Sequence, residues 1–182
     1  KTMRWLMKTN KLVLISSAIV AVMTSAASAS ELRGDVDVLL EIGQGCAING
    51  IAAAGVNKFG TVDFGEQSNL ALFIDAESTR SGSAGGLELT CNTSLAYAVS
   101  LDDGVNALAG QRRVSRGGLD YVQYELYQDA ARSVRWGQGP EARALTGTGA
   151  AQALTIYGRV LAGQATPAAG NYVDTVRMTI AW

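Results

Sequence analysis

Between residues 34 and 45 the chain reads GDVDVLLEIGQG, with Val36, Val38, Leu40 and Ile42 at every second position and Asp35, Asp37 and Glu41 between them. Alternation with a period of two predicts a strand with one apolar face. Leu39 departs from it, an apolar residue on the polar side, and a slip of one residue would exchange the two faces. Four aliphatic side chains on one face need a sheet to sit on. That sheet is either their own domain's, with this segment as its first strand, or a neighbouring copy's, joined by β-augmentation.

Short alternating segments follow. Cys46-Ala47-Ile48 predicts a first short strand, and residues 58–65 predict a second, where Phe59 and Phe64 bracket Val62 and glycines punctuate both ends. Over residues 86–101, Leu87, Leu89 and Cys91, then Leu95, Tyr97, Val99 and Leu101, predict two strands meeting near Asn92, with Asp102-Asp103-Gly104 as the turn that ends them. Residues 121–127 (YVQYELY) place Val122, Tyr124 and Leu126 in one phase, followed by a turn at residues 129–132. Residues 152–161 read as one long strand with Leu154, Ile156, Gly158 and Val160 on a face. A last strand spans residues 172–182, where Tyr172, Asp174, Val176, Met178, Ile180 and Trp182 share a phase. Between these, residues 69–86 read as a loop ending in SGSAGG, and Arg112, Arg113 and Arg116 with Gly117 and Gly118 read as a solvated loop.

Strands at short intervals with turn residues between them predict an all-β sandwich. From Cys46 onward there are about six of them, one short of the seven of an immunoglobulin-like sandwich. A domain lacking its last strand leaves a groove open in its core. The alternating segment before Cys46 has the length and pattern to fill such a groove in the next copy.

Residues 1–29 form a predicted export signal: Lys1, Arg4, Lys8 and Lys11, then an apolar run from Leu12 to Met23, then Ala27-Ser28-Ala29, with cleavage expected after Ala29. That run is shorter than the roughly 20 residues a membrane span needs. This places residues 30–44 as an N-terminal extension and residues 45–182 as the domain. Taking the leader's four basic residues from the chain's 15 leaves 11 against 16 acidic, a net charge of −5 that argues against a nucleic-acid partner. Cys46 and Cys91 both lie in the exported part, where an oxidising compartment makes a disulfide the default.

The chain has no histidine, so no His-based triad, His-metal cluster or imidazole base exists. Two cysteines alone make a poor metal site. Asp102-Asp103 is a carboxylate pair, read here as solvated turn residues, and no glycine-rich phosphate loop is present. No catalytic residue, metal or cofactor is expected, and an enzyme is the weak hypothesis.

The order of FGTVDFG (residues 59–65), Tyr124-Glu125-Leu126-Tyr127 with Asp129 and Arg132, Tyr157-Gly158, and GNYVDT (residues 170–175) before a terminal strand resembles the spore coat protein U domain family. It is similar in particular to the major rod subunits of archaic (Csu-type) chaperone-usher pili. The resemblance implies an incomplete immunoglobulin-like subunit, held in the periplasm by a chaperone that lends a strand and passed to an outer-membrane usher. There the N-terminal strand of the incoming subunit replaces the chaperone's. On this resemblance Val36, Val38, Leu40 and Ile42 are the donor residues, Cys46 and Cys91 the disulfide, and Tyr172, Asp174, Val176, Met178, Ile180 and Trp182 line the acceptor groove. A surface pilus serving adhesion and biofilm formation is the expected function. The alternatives are a spore- or cell-surface coat protein using the same domain without a pilus, or a minor or tip subunit.

Overall fold

A computed structural model describes residues 32–51, 57–81 and 86–182. The expected leader and its cleavage site, and most of the SGSAGG stretch, lie outside the described residues. The chain divides into two units, Lys1–Leu40 and Glu41–Trp182. In the first, residues 32–40 carry no strand, and Val36, Val38 and Leu40 are 87%, 90% and 85% exposed. The predicted strand over residues 34–45 is not formed. A strand exists only as a member of a ladder, and its alternation is a capacity that needs a partner edge to be realised.

The second unit is all-β among its described residues. Its strands are β1 (Cys46–Ile48), β2 (Gly60–Val62), β3 (Ile74–Arg80), β4 (Leu87–Cys91), β5 (Ala96–Leu101), β6 (Arg113–Arg116), β7 (Asp120–Tyr127), β8 (Arg143–Thr146), β9 (Ala151–Leu154), β10 (Tyr157–Val160) and β11 (Met178–Ala181). One layer is the five-stranded sheet β2-β3-β10-β7-β6. The other is built on β4 and β5, consecutive stretches broken by a turn in which the Leu95 amide donates to the Asn92 carbonyl at 3.1 Å. β1 and β11 pair with this path on one side, β9 and β8 on the other, all antiparallel.

The alternation read from the sequence decides which side chains meet between the layers. On β4, Leu87, Leu89 and Cys91 are buried while Glu88 and Thr90 face solvent; on β7, Val122, Tyr124 and Leu126 are buried. They join Tyr97, Val99, Leu101, Trp136 and Leu154 in one core. Each fully buried aliphatic side chain contributes roughly 1.5 to 3 kcal/mol. The disulfide Cys46–Cys91 forms, joining β1 to β4 at directly paired positions.

Several expectations are corrected. Residues 74–80, read as part of a loop, are the seven-residue strand β3; its sequence IDAESTR has too few apolar residues to announce itself, because only Ser78 on it is buried. The long strand over residues 152–161 is two strands in different layers, β9 beside β4 and β10 between β3 and β7. Ile156 makes the crossing, its amide donating to Ser78 Oγ at 2.9 Å and its carbonyl accepting from the Ser78 amide at 2.9 Å. Gly158 fits because β10 passes directly under Phe64 and Val62, leaving no room for a Cβ. The strand over residues 172–182 is regular only at Met178–Ala181, with an isolated bridge from Val173 to Ser115. Residues 113–116, read as a solvated loop, are β6, and Arg112 beside them is 0% exposed.

Candidate functional site

Two places on the second unit stand out, one closed and polar, the other open and apolar. The closed one is built around Arg112. Its guanidinium donates to the carbonyls of Asp102 (2.7 and 3.0 Å), Leu101 (3.2 Å) and Trp136 (2.9 Å), and approaches Glu125 Oε2 at 3.4 Å. Glu125 also accepts from Arg135 Nε at 2.8 Å and Gln111 Nε2 at 2.9 Å, and Arg135 continues to Asp103 at 2.8 Å and to Glu141. Trp136 is fully buried with its indole N–H donating to the Val99 carbonyl at 2.8 Å. Burial pulls the Arg112 guanidinium below its ordinary pKa, while Glu125 opposes the shift. This corner ties the end of β5 to β7 and to the loop before β8. Among the described residues no buried side-chain polar atom is left without a partner.

The same geometry corrects the reading of Asp102-Asp103 as solvated turn residues. Asp102 Oδ1 accepts from the Gly104 amide at 3.0 Å and the Arg177 amide at 2.8 Å, so it anchors the last segment of the chain, and Asp103 pairs with Arg135. The sequence gives no hint of either bond, since both partners are distant along the chain.

The open place is the edge formed by residues 172–182. Here Ile180 pairs with Val99 and Met178 with Leu101. Directly paired residues share a face. Val99 and Leu101 are shut away from solvent, yet Ile180, Met178 and, further back, Val176 and Tyr172 are only partly buried against the core. The covering layer stops at this strand. Its outer edge is unpaired among the described strands, and β11 is the last member of its sheet.

Asp174 lies in phase with these apolar residues but differs in kind. Its carboxylate accepts from Tyr124 OH at 2.7 Å, from the Asn106 amide at 3.1 Å and from Asn106 Nδ2 at 3.0 Å. Burial, and then the bond to Asp174, push the Tyr124 phenol well above its ordinary pKa. Gly104, at φ +83°, passes so close that a Cβ there would run into the Asp174 carboxylate. Trp182 continues the phase and is 57% exposed.

Of the residues expected on an extension, Val36, Val38 and Leu40 lie in the first unit and Ile42 in the second; all four are exposed, Ile42 at 75%. The domain-side root of the extension is fixed: the Gly45 amide donates to Asn92 Oδ1 at 2.6 Å, and the Asn92 amide donates back to the Gly45 carbonyl at 3.2 Å. No cluster of potential metal ligands occurs among the described residues.

The model of the Spore Coat Protein U domain matches residues 33–179. The chain is 30% identical over 174 residues to Protein U of Myxococcus xanthus, covering 91% of this chain and 93% of that protein. It also shows a likeness, with a TM-score of 0.45 and 20% identity, to a solved chaperone–tip adhesion subunit pre-assembly complex from archaic chaperone-usher Csu pili of Acinetobacter baumannii. That match covers 78% of this chain and 40% of the solved one.

Proposed function

The chain belongs to the Spore Coat Protein U domain family, and from that premise we propose that it is a structural subunit of a surface pilus, polymerised by donor-strand exchange and serving adhesion and biofilm formation. The observation that carries the reading is the pairing of two incomplete features. One is an apolar edge, Val176, Met178 and Ile180, that the domain covers only in part; the other is a segment, Val36, Val38, Leu40 and Ile42, whose alternating apolar side chains are exposed. Inserting the second into the first buries four aliphatic side chains, worth roughly 6 to 12 kcal/mol at 1.5 to 3 each, before the cost of ordering the segment. Ladder bonds along the unpaired edge come in addition.

The contact joins different surfaces on the two copies, so it is heterologous, and repetition makes a filament. The same edge is where a periplasmic chaperone would lend a strand before assembly, and an outer-membrane usher would be the site of exchange. The Cys46–Cys91 bridge suits export through an oxidising compartment.

Deleting residues 31–42 tests the proposal. The shortened subunit is expected to fold and to be held by its chaperone, but heat-resistant multimers on gels and filaments in electron micrographs are expected to vanish. Long filaments from the deleted chain would show that the donor lies elsewhere.

A further inference from the structure

Asp174, held by Tyr124 and Asn106 and only partly buried, is a polar group in the core-facing phase of an otherwise apolar acceptor edge. Along residues 174–182 the core-facing phase reads Asp174, Val176, Met178, Ile180, Trp182: one carboxylate, then four apolar residues. The extension offers the same arrangement in mirror order, Val36, Val38, Leu40 and Ile42 followed by Gln44 in the same phase. Two runs of four, each bounded by a polar group, match in one alignment.

The direction of the extension follows from where it is rooted. Along the edge of the β4–β5 path, Ala181 pairs with Ala98 and Cys46 with Cys91, so Gly45 at Asn92 lies beyond the Trp182 end of the last strand. An extension that leaves past that end and enters a copy in the same orientation meets the copy's Tyr172 end first. It therefore runs antiparallel to the last strand.

Resting on the reading of a donor strand given above, we infer that Asp174 sets the register of insertion. Val38 of one copy lies opposite Ile180 of the next, with Leu40 opposite Met178, Ile42 opposite Val176, and Gln44 opposite Asp174. A shift of two residues in one direction sets Ile42 against Asp174. That carboxylate is held in place by Tyr124 and Asn106, and capping it with an aliphatic group strips its remaining solvation without a bond in return. A shift in the other direction sets the Gln44 amide against Val176 and removes Val36 from the groove. Shifts by one residue exchange the faces. Only the stated alignment pairs apolar with apolar throughout and gives the carboxylate an amide donor. Asp174 is thus a specificity-determining residue: it admits extensions with four apolar positions before a polar one and rejects longer apolar runs.

The test uses full-length chains carrying Val38→Cys with Ile180→Cys, and in parallel Val38→Cys with Met178→Cys, oxidised and run unreduced. Opposed residues in an antiparallel ladder lie within disulfide reach, whereas positions two residues off do not. The Ile180 pair is expected to give a covalent ladder of multimers, with at least tenfold less from the Met178 pair. A ladder from the Met178 pair instead overturns the register and leaves the donor reading standing. Monomers from both pairs, whether open or bridged within one chain, overturn the donor reading as well. To assign the register to Asp174, Asp174→Leu is expected to let the Met178 pair link as well as the Ile180 pair, whereas Asp174→Asn leaves the pattern unchanged. An unaltered pattern in Asp174→Leu excludes Asp174 as the determinant. Should that variant not fold, Gln44→Leu reads the same point from the donor side. It is expected to move the ladder to a Val38→Cys, Trp182→Cys pair, and no movement overturns the assignment.

Discussion

On β5, Val99 is sealed from solvent, whereas Ile180, its cross-strand partner on the same face, is only half covered. The corner around Arg112 and Trp136 shows the same contrast with the open edge. In the corner the buried side-chain polar atoms are all bonded and Trp136 is enclosed; at the edge a row of aliphatic side chains packs on the core but is only partly covered. The difference teaches that this domain is finished on one side only. Where it is finished, charges bind backbone carbonyls that no strand partner reaches; where it is not, the ladder and the core stop together.

The corner should be the more fragile of the two. Arg112→Met removes a buried charge, orphans three carbonyls and takes away one of the three partners of Glu125, and is expected to cost about 3 to 5 kcal/mol in denaturant melts of the purified subunit. A cost below about 1 kcal/mol would mean that the corner contributes little. Replacing both Cys46 and Cys91 by serine releases a loop closed over a separation of 45 residues. The chain-entropy relation gives about 4 kcal/mol for that length, read as a lower midpoint and a lower periplasmic yield.

A matched pair of truncations probes the contrast directly. Val99→Ala is expected to destabilise the isolated subunit by roughly 2 to 3 kcal/mol, Ile180→Ala by only about 1, because Ile180 is already partly exposed. If strand insertion forms the multimers as proposed, the cost of Ile180→Ala is expected to rise in them, since Ile180 would then be enclosed; equal costs in both states would show the edge stays open. The smallest effect belongs to Asp75, which Arg159 grips at 2.7 and 2.8 Å with Arg132 at 3.3 Å. The bond from Arg159 holds its pKa below the ordinary value. Its contribution is therefore present above about pH 4, the unfolded value, and fades as pH falls through the lower folded one. Being partly exposed, it is worth less than about 1 kcal/mol. Asp75→Asn should lower stability at neutral pH by up to that amount, less in high salt, leave it unchanged in acid below the folded pKa, and so flatten the acid limb.

By itself the sequence determined the class of fold, most of the apolar strands, and the alternation of the extension. A half-buried strand writes its burial into every second residue, as Leu87, Leu89 and Cys91 or Val122, Tyr124 and Leu126 do, and this local signal survives without knowledge of neighbours. It named the disulfide because the compartment, not the geometry, decides whether two cysteines pair. What only the tertiary structure decided is everything that depends on a distant partner. Arg112 reads as a surface arginine until the carbonyls of residues 101, 102 and 136 surround it; β3 reads as a loop because its burial falls on a serine bonded to Ile156. Asp102 reads as a turn residue until Arg177 arrives from 75 positions away. The candidate groove lies between these limits: its residues were legible as a phase along the last strand, but its openness is a statement about what fails to cover them. That is a property of the assembled layers, set by where the last ladder ends, and no local pattern of hydrophobicity contains it.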